Sequence, residues 1–314
     1  MPLTVDDVDR FEASRPRLEA IAYRLLGSAA EAEDAVQEAF LHWQAADVER
    51  VEVPEAWLTK VLTNLCLNQL TSARARRETY VGQWLPEPLL AGDPMLGPAE
   101  TAEQRESVSY AVLTLMERLS PGERAVYVLR EAFDHPHREI AEILGITEAA
   151  SQQTFHRAKK HIADGRARVE IDEAAVRRIV EEFLTAAAGG RTEALVRLLT
   201  EDAVAIGDGG GKVPARAKAF EGAVAVAKFL RGLIKPGVAK RAMVGGSPEI
   251  HIWTANGEPA VVAVVDGRVV GVTCLEVTAE GIVAVRNQVN PDKLERATAR
   301  WAAADHGEPL FTIF

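Results

Sequence analysis

The period of the apolar residues changes once along this chain, near residue 171, and that change limits it to a helical part followed by a mixed part. Before it, apolar residues recur at i, i+3 and i+4, the spacing of one helix face. Ala32, Ala35, Val36, Ala39, Phe40 and Trp43 form one such stripe over residues 31–43, with Asp34, Gln37, Glu38 and Leu41 opposite. A second helix starts at Pro54, whose fixed φ suits a first turn. Its inner stripe is Leu58, Val61, Leu62 and Leu65, its outer face carries Lys60, Asn64 and Thr71, and it ends in a basic run containing Arg74, Arg76 and Arg77. After residue 171, two helices (172–189 and 191–200) precede β-branched runs at 250–254, 260–265, 269–277 and 282–289, separated by Asn-Gly, Asp-Gly and Glu-Gly turns. That pattern predicts a curved antiparallel sheet packed on helices.

Between the two helical stretches, residues 79–105 collect Pro86, Pro88, Pro94 and Pro98 with Gly82, Gly92 and Gly97, the composition of a linker. Helical periodicity resumes beyond it, and Ser120-Pro-Gly-Glu123 predicts a capping box with proline in the first turn. The boundaries expected are 1–78, a linker over 79–105, 106–170, 171–296, and a tail over 297–314.

The segment HREIAEILGITEAASQQTFHRAKK, residues 137–160, carries the sharpest motif. Ile140, Ala141 and Leu144 mark a short helix, Gly145 permits a tight turn, Ile146 is expected to plug the corner, and Thr147 caps a second helix. That helix buries Ala150, Phe155, Ala158 and Ile162 and exposes Gln152, Gln153, Arg157, Lys159 and Lys160. Amides and guanidinium groups read base edges, and lysines hold phosphate. Against this stands the net charge: 36 Lys and Arg against 46 Asp and Glu, or −10. Phosphate neutralisation drives DNA affinity, so an acidic chain must rely on local basic patches or share the duplex with a partner. No apolar run approaches a membrane span, and the acidic N-terminus lacks the apolar core of a secretory signal. Cys66 and Cys274 sit in apolar patterns and read as buried thiols in a reducing compartment.

Residues 32–40 (AEDAVQEAF), 54–58 (PEAWL), Asn64 and the helix-turn-helix, in this order, resemble regions 2 and 4 of the extracytoplasmic-function sigma factors of the sigma-70 family. The resemblance covers about residues 8–168. It implies a cytoplasmic transcription initiation factor whose partners are core RNA polymerase, through the β′ clamp helices and β flap, and promoter DNA. It places Asp34, Gln37 and Glu38 on the clamp helices, and Asn64 with Arg74, Arg76 and Arg77 at the −10 element. Gln152, Gln153, Arg157, Lys159 and Lys160 fall at the −35 element.

The segments 80–88 (YVGQWLPEP), 208–212 (DGGGK) and 290–294 (NPDKL) resemble the motifs of the subgroup related to mycobacterial sigma J. That subgroup carries a SnoaL-like C-terminal domain, a cone-shaped α+β fold. The resemblance implies control of sigma activity in cis, through Trp84, Pro86, Glu87 and Pro88 of the linker. Asp208, Gly209, Gly210, Gly211, Lys212, Asn290, Pro291, Asp292, Lys293 and Leu294 would act with them. Trp84 is expected to be the apolar anchor, with Lys212 facing Glu87.

Asp208–Lys212 does not read as a phosphate loop, because Val213 follows the lysine and the leading glycine spacing fails. No catalytic residue, metal ligand or cofactor is assigned. The alternatives are that the C-terminal pocket binds a small molecule as a sensor, or that it performs cyclase- or isomerase-like proton transfer through Asp202, Asp208, His251 or Glu276. A pocket rich in ionisable groups favours the enzyme, and an apolar one favours regulation.

Overall fold

The structure is a computed structural model of the chain and describes residues 4–78, 80–98, 100–165, 173–216, 218–235 and 237–313. The chain divides into two compact units, Met1–Thr79 with Gly92–Arg166, and Tyr80–Ala91 with Ala167–Phe314.

The first unit is helical: α1 (Val5–Leu26), α2 (Ala29–Ala45), α3 (Pro54–Glu78), α4 (Ala102–Ser107), α5 (Tyr110–Met116), α6 (Pro121–Tyr127), α7 (His137–Leu144) and α8 (Glu148–Asp164). On α3, Leu58, Leu62, Cys66 and Leu70 recur every four residues and are buried. They form one stripe against α1 and α2 and leave Asn64 exposed. Thr4 and Ser120 build capping boxes at α1 and α6, satisfying N–H groups that a helix start leaves open. Two buried arginines fix this unit. Arg24 donates to the carbonyl of Leu96 at 2.7 Å and to Ser107 Oγ at 3.0 Å. Arg124 donates to the carbonyls of Leu25 at 2.7 Å and Met116 at 3.0 Å and pairs with Glu117. Burial pulls their pKa values down to about 10 and about 9, so both remain charged at neutral pH. Met95 is fully buried, and a Cβ at Gly97 would lie 2.6 Å from that of Ala20, so the second half of the linker packs on α1.

The second unit contains α9 (Glu173–Ala188), α10 (Thr192–Leu198), β1 (Leu199–Asp208), β2 (Phe220–Glu221), α11 (Ala223–Ile234), α12 (Val238–Val244), β3 (Glu249–Ala255), β4 (Glu258–Val265), β5 (Arg268–Thr278), β6 (Gly281–Gln288), α13 (Glu295–Ala302) and β7 (Phe311–Thr312). The strands form one sheet in the order β2-β1-β6-β5-β4-β3-β7. Asn256-Gly257 and Asp266-Gly267 all have positive φ, as two-residue hairpin turns require. The sheet is not purely antiparallel as expected, because β1 pairs with β6 in parallel. Residues 199 and 200, expected to end a helix, already belong to β1. The tail also packs: β7 pairs with β3, and Trp301 of α13 is buried over the sheet. With α9, α10 and α11 packed on one face of the sheet, this unit is the α+β fold expected.

Candidate functional site

In the helical unit the residues of interest project from three elements. Asp34, Gln37 and Glu38 are exposed on α2, beside Leu41 at 54% exposure. Among the described residues they make no side-chain hydrogen bond or ion pair. The side chains of Arg74, Arg76 and Arg77 on α3 lie outside the described residues.

The helix-turn-helix forms as its residues require. Gly145 closes α7 at φ 66°, and Thr147 Oγ1 accepts from the N–H of Ala150 at 3.1 Å to start α8. Ser151 is buried and hydrogen-bonds His137 Nδ1 at 2.9 Å, a tie between the helices that the apolar pattern did not indicate. Ile146 is 38% exposed and does not plug the corner. Ala150 and Phe155 are only half-buried, so Ala158 and Ile162 carry the core contact. Gln152, Gln153, Arg157, Lys159 and Lys160 are all exposed. Lys159 pairs with Glu131 at 2.8 Å, and Arg157 lies 3.7 Å from Glu123. Both cations are more than half exposed, so these pairs contribute little.

In the second unit, residues 80–91 lie in a seat built around Asp208, which is fully buried. Its carboxylate accepts from Tyr80 Oη at 2.7 Å, Lys293 Nζ at 2.7 Å and the N–H groups of Leu85 and Gly210 at 2.9 and 3.0 Å. Gln288 Nε2 completes the set at 3.2 Å. Lys293 also donates to the carbonyl of Leu85 at 2.7 Å and stands 4.2 Å from the Trp84 ring centroid, a cation–π distance. Asn290 Nδ2 donates to Tyr80 Oη at 3.0 Å. Burial and the Asp208 carboxylate raise the Tyr80 pKa, so the phenol stays a donor. Farther along, Leu89 and Asn256 exchange hydrogen bonds, the N–H of Ala91 donates to the carbonyl of Thr254 at 3.0 Å, and Arg300 Nε reaches the carbonyl of Ala91 at 2.8 Å.

The glycines of 208–212 are required by close approach. A Cβ on Gly210 would lie 2.3 Å from Asn290 Nδ2, and one on Gly211 3.2 Å from Val81. The seat differs from expectation in two respects. Lys212 pairs with Asp292 at 2.6 Å rather than with Glu87, while Glu87 is buried. Trp84 is half-buried, and the fully buried apolar contacts come from Leu85, Leu89 and Leu90 together with Pro86 and Pro88. Gln288, Asn256 and Arg300 were not foreseen as part of it. A lone Gln ending a β-branched run was the available signal for the first, and Asn256 read only as a turn residue.

Asp202, Asp208, His251 and Glu276 do not converge. Asp202 is exposed and accepts from Thr200, Glu276 pairs with Arg286 at 2.7 Å, and Asp208 belongs to the seat. His251 is buried on β3, edge-on to Trp301 at 4.7 Å, and its Nε2 has no hydrogen-bond partner among the described residues. Desolvation first, and His306 second, hold its pKa below the ordinary value, against a weaker opposing pull from Glu249 and Glu308. The unfolded chain therefore binds a proton that the folded chain refuses. Stability contributed by neutral His251 is full above the unfolded pKa of about 6.5 and declines as the pH falls below it. The melting temperature is expected to drop between pH 7 and 5.5. His251→Leu should flatten that part of the profile, and an unchanged slope would refute this assignment.

The helical part is matched by sigma-70 family models, and the whole chain by sigma factors of similar length. Residues 10–76 match the family model Sigma-70 region 2, and residues 109–162 match Sigma-70, region 4. The chain is 37% identical over 297 residues to the ECF RNA polymerase sigma factor SigJ of Mycobacterium tuberculosis, covering 91% of this chain and 93% of that protein. It is 31% identical over 294 residues to the probable ECF RNA polymerase sigma factor SigI of the same species, with the same coverage. The crystal structure of M. tuberculosis SigJ superposes with a TM-score of 0.70 at 34% identity, over 91% of this chain and 97% of that one. The chain belongs to the extracytoplasmic-function RNA polymerase sigma factors.

Proposed function

We propose that this chain recruits core RNA polymerase to promoters carrying −35 and −10 elements, and that its SnoaL-like unit modulates this activity in cis by holding residues 80–91. In this reading the exposed polar face of α2 docks on the β′ clamp helices, and region 4 meets the β flap. The outer face of α3, with Asn64, serves the −10 element, and α8 serves the −35 element. The observation that carries the cis reading is the buried Asp208 carboxylate, which accepts from two linker donors and three of its own unit. A segment with no role beyond tethering has no need of a buried charge to hold it. The cytoplasm, where the polymerase works, is the matching location, and no described helix is long and apolar enough to cross a membrane.

In vitro transcription with core polymerase separates the two DNA-facing helices. Gln152→Ala or Arg157→Ala is expected to relax selectivity at the −35 element, at about 1–3 kcal/mol per lost base contact. Asn64→Ala is expected to impair −10 recognition or opening while −35 binding persists. If both kinds of variant shift the same promoter positions, the division of labour is wrong.

A further inference from the structure

The cone of the second unit encloses a cavity of about 620 Å³, within the range of sites for drug-sized ligands. Its walls are apolar: Phe183 of α9, Phe229 and Leu233 of α11, Met243 of α12, and Ile250 and Val261 of the sheet. None of Asp202, Asp208, His251 and Glu276 lines it, and among the described residues no Asp, Glu, His, Tyr or Cys does. The described lining therefore offers no carboxylate or imidazole as a general base. Among the described residues the charged lining is cationic: Lys212, Arg216, Lys218 and Arg268. In a chain of net charge −10, four cations and no carboxylate around one cavity form a local field of the opposite sign.

Two of these cations are committed within the chain. Lys212 pairs with Asp292, and Arg268 donates to the carbonyl of Val244 at 3.0 Å. Arg216 lies over the Phe220 ring at 5.0 Å, and among the described residues neither it nor Lys218 has a carboxylate partner. Inside the cavity, Thr273 Oγ1 donates to Asn287 Oδ1 at 2.8 Å. Asn287 is 6% exposed, and its amide oxygen is taken by Thr273, which leaves its amide nitrogen as the polar group it can offer to the cavity.

We infer that this cavity binds an amphipathic anion, an apolar body with a carboxylate head. The body fills the cone, the head meets Arg216 and Lys218, and Asn287 offers its amide N–H to an acceptor on the body. The cavity also shares its wall with the linker seat. Gly207 pairs with Asn287 and Asp208 with Gln288 on the parallel strands β1 and β6. Neighbouring strand residues face opposite ways, so Gly207 and Asn287 line the cavity while Asp208 and Gln288 hold the linker. Pro291 and Leu294 line the cavity, and Asn290 and Lys293 hold the seat. An occupant that shifts these strand ends shifts the seat. This consequence rests on the cis reading above, whereas ligand binding does not.

Calorimetric titration of the full chain with dodecanoate, dodecanol and dodecyltrimethylammonium tests the site without polymerase. Dodecanoate is expected to bind at least tenfold more tightly than the other two. The double variant Arg216→Ala/Lys218→Ala, both on the rim, is expected to lose that preference and keep its affinity for dodecanol. Ala263→Trp, which fills the cone, is expected to abolish binding; if it fails to fold, the rim variant decides. No heat with dodecanoate, equal affinity for the alcohol, or an unaltered preference in the rim variant overturns the site. Hydrogen exchange at the Leu85 and Leu89 amides is expected to change by severalfold at saturating dodecanoate. Binding with unchanged exchange there leaves the site standing and overturns its coupling to the seat.

Discussion

Asp208→Ala is expected to destabilise the C-terminal unit by about 3–5 kcal/mol, the cost of removing one partner from a buried, hydrogen-bonded charge pair. The carboxylate has no exposed surface and five donors aimed at it, so its loss strips neutralisation from Lys293 and acceptors from Tyr80, Leu85, Gly210 and Gln288 at once. Asp208→Asn keeps the shape but places an amide donor among donors, so it should recover little. By contrast, Lys212 and Asp292 are both more than half exposed, and their pair is worth about 0–1 kcal/mol. Lys212→Ala is therefore expected to be nearly silent in the same urea titration, and Asp208→Ala should also expose residues 80–91 to protease. A loss below 1 kcal/mol for Asp208→Ala, or equal effects at the two positions, would refute the seat as drawn.

Arg124→Met is expected to cost the helical unit about 3 kcal/mol. The side chain is 3% exposed, and its removal takes the donors from the Leu25 and Met116 carbonyls and the countercharge from Glu117. Glu117 is 17% exposed, so water relieves part of the penalty and the estimate sits at the low end of the buried-pair range. Because Leu25 lies in the last turn of α1 and Arg124 lies in α6, the loss should weaken both sigma regions together. A melting temperature lowered by roughly 6–12 °C is the expected reading for a unit of this size. Arg124→Lys keeps the charge without the planar fork and should recover only part of it. A melting temperature within 2 °C of the parent for Arg124→Met would contradict the account.

What could be read from the residues was mostly local. The Ser120 cap, the Thr147 cap, the Gly145 turn and the two Xaa-Gly hairpins are decided by chemistry within four residues, and each forms as expected. β1 was not evident because its pairing is parallel and distant: Val204 meets Ala284, and its own stretch holds Glu201, Asp202 and Gly207. β7 is two residues long and exists only because β3 offers an edge. The seat was located through its motifs, but its pairings were not. Sequence shows that Lys212 and Lys293 both carry charge; only the fold decides that Lys293 is buried on Asp208 while Lys212 stays at the surface. Trp84 attracted attention by size, yet the prolines on either side of Glu87 extend the chain so that Leu85 and Leu89 enter the core instead.

Run-off transcription with core polymerase on a promoter bearing both elements tests the link between seat and activity most directly. The proteins to compare are the full chain, Trp84→Ala, Lys293→Met and the double variant, each confirmed folded. Since Lys293 lies over Trp84 and ties Leu85 to Asp208, each single change is expected to shift output in the same direction. A shift on the order of tenfold corresponds to about 1.4 kcal/mol. The double variant should resemble the singles, because both act on one contact. Parent-level output from all three folded variants, or effects that simply add, would contradict control through the seat.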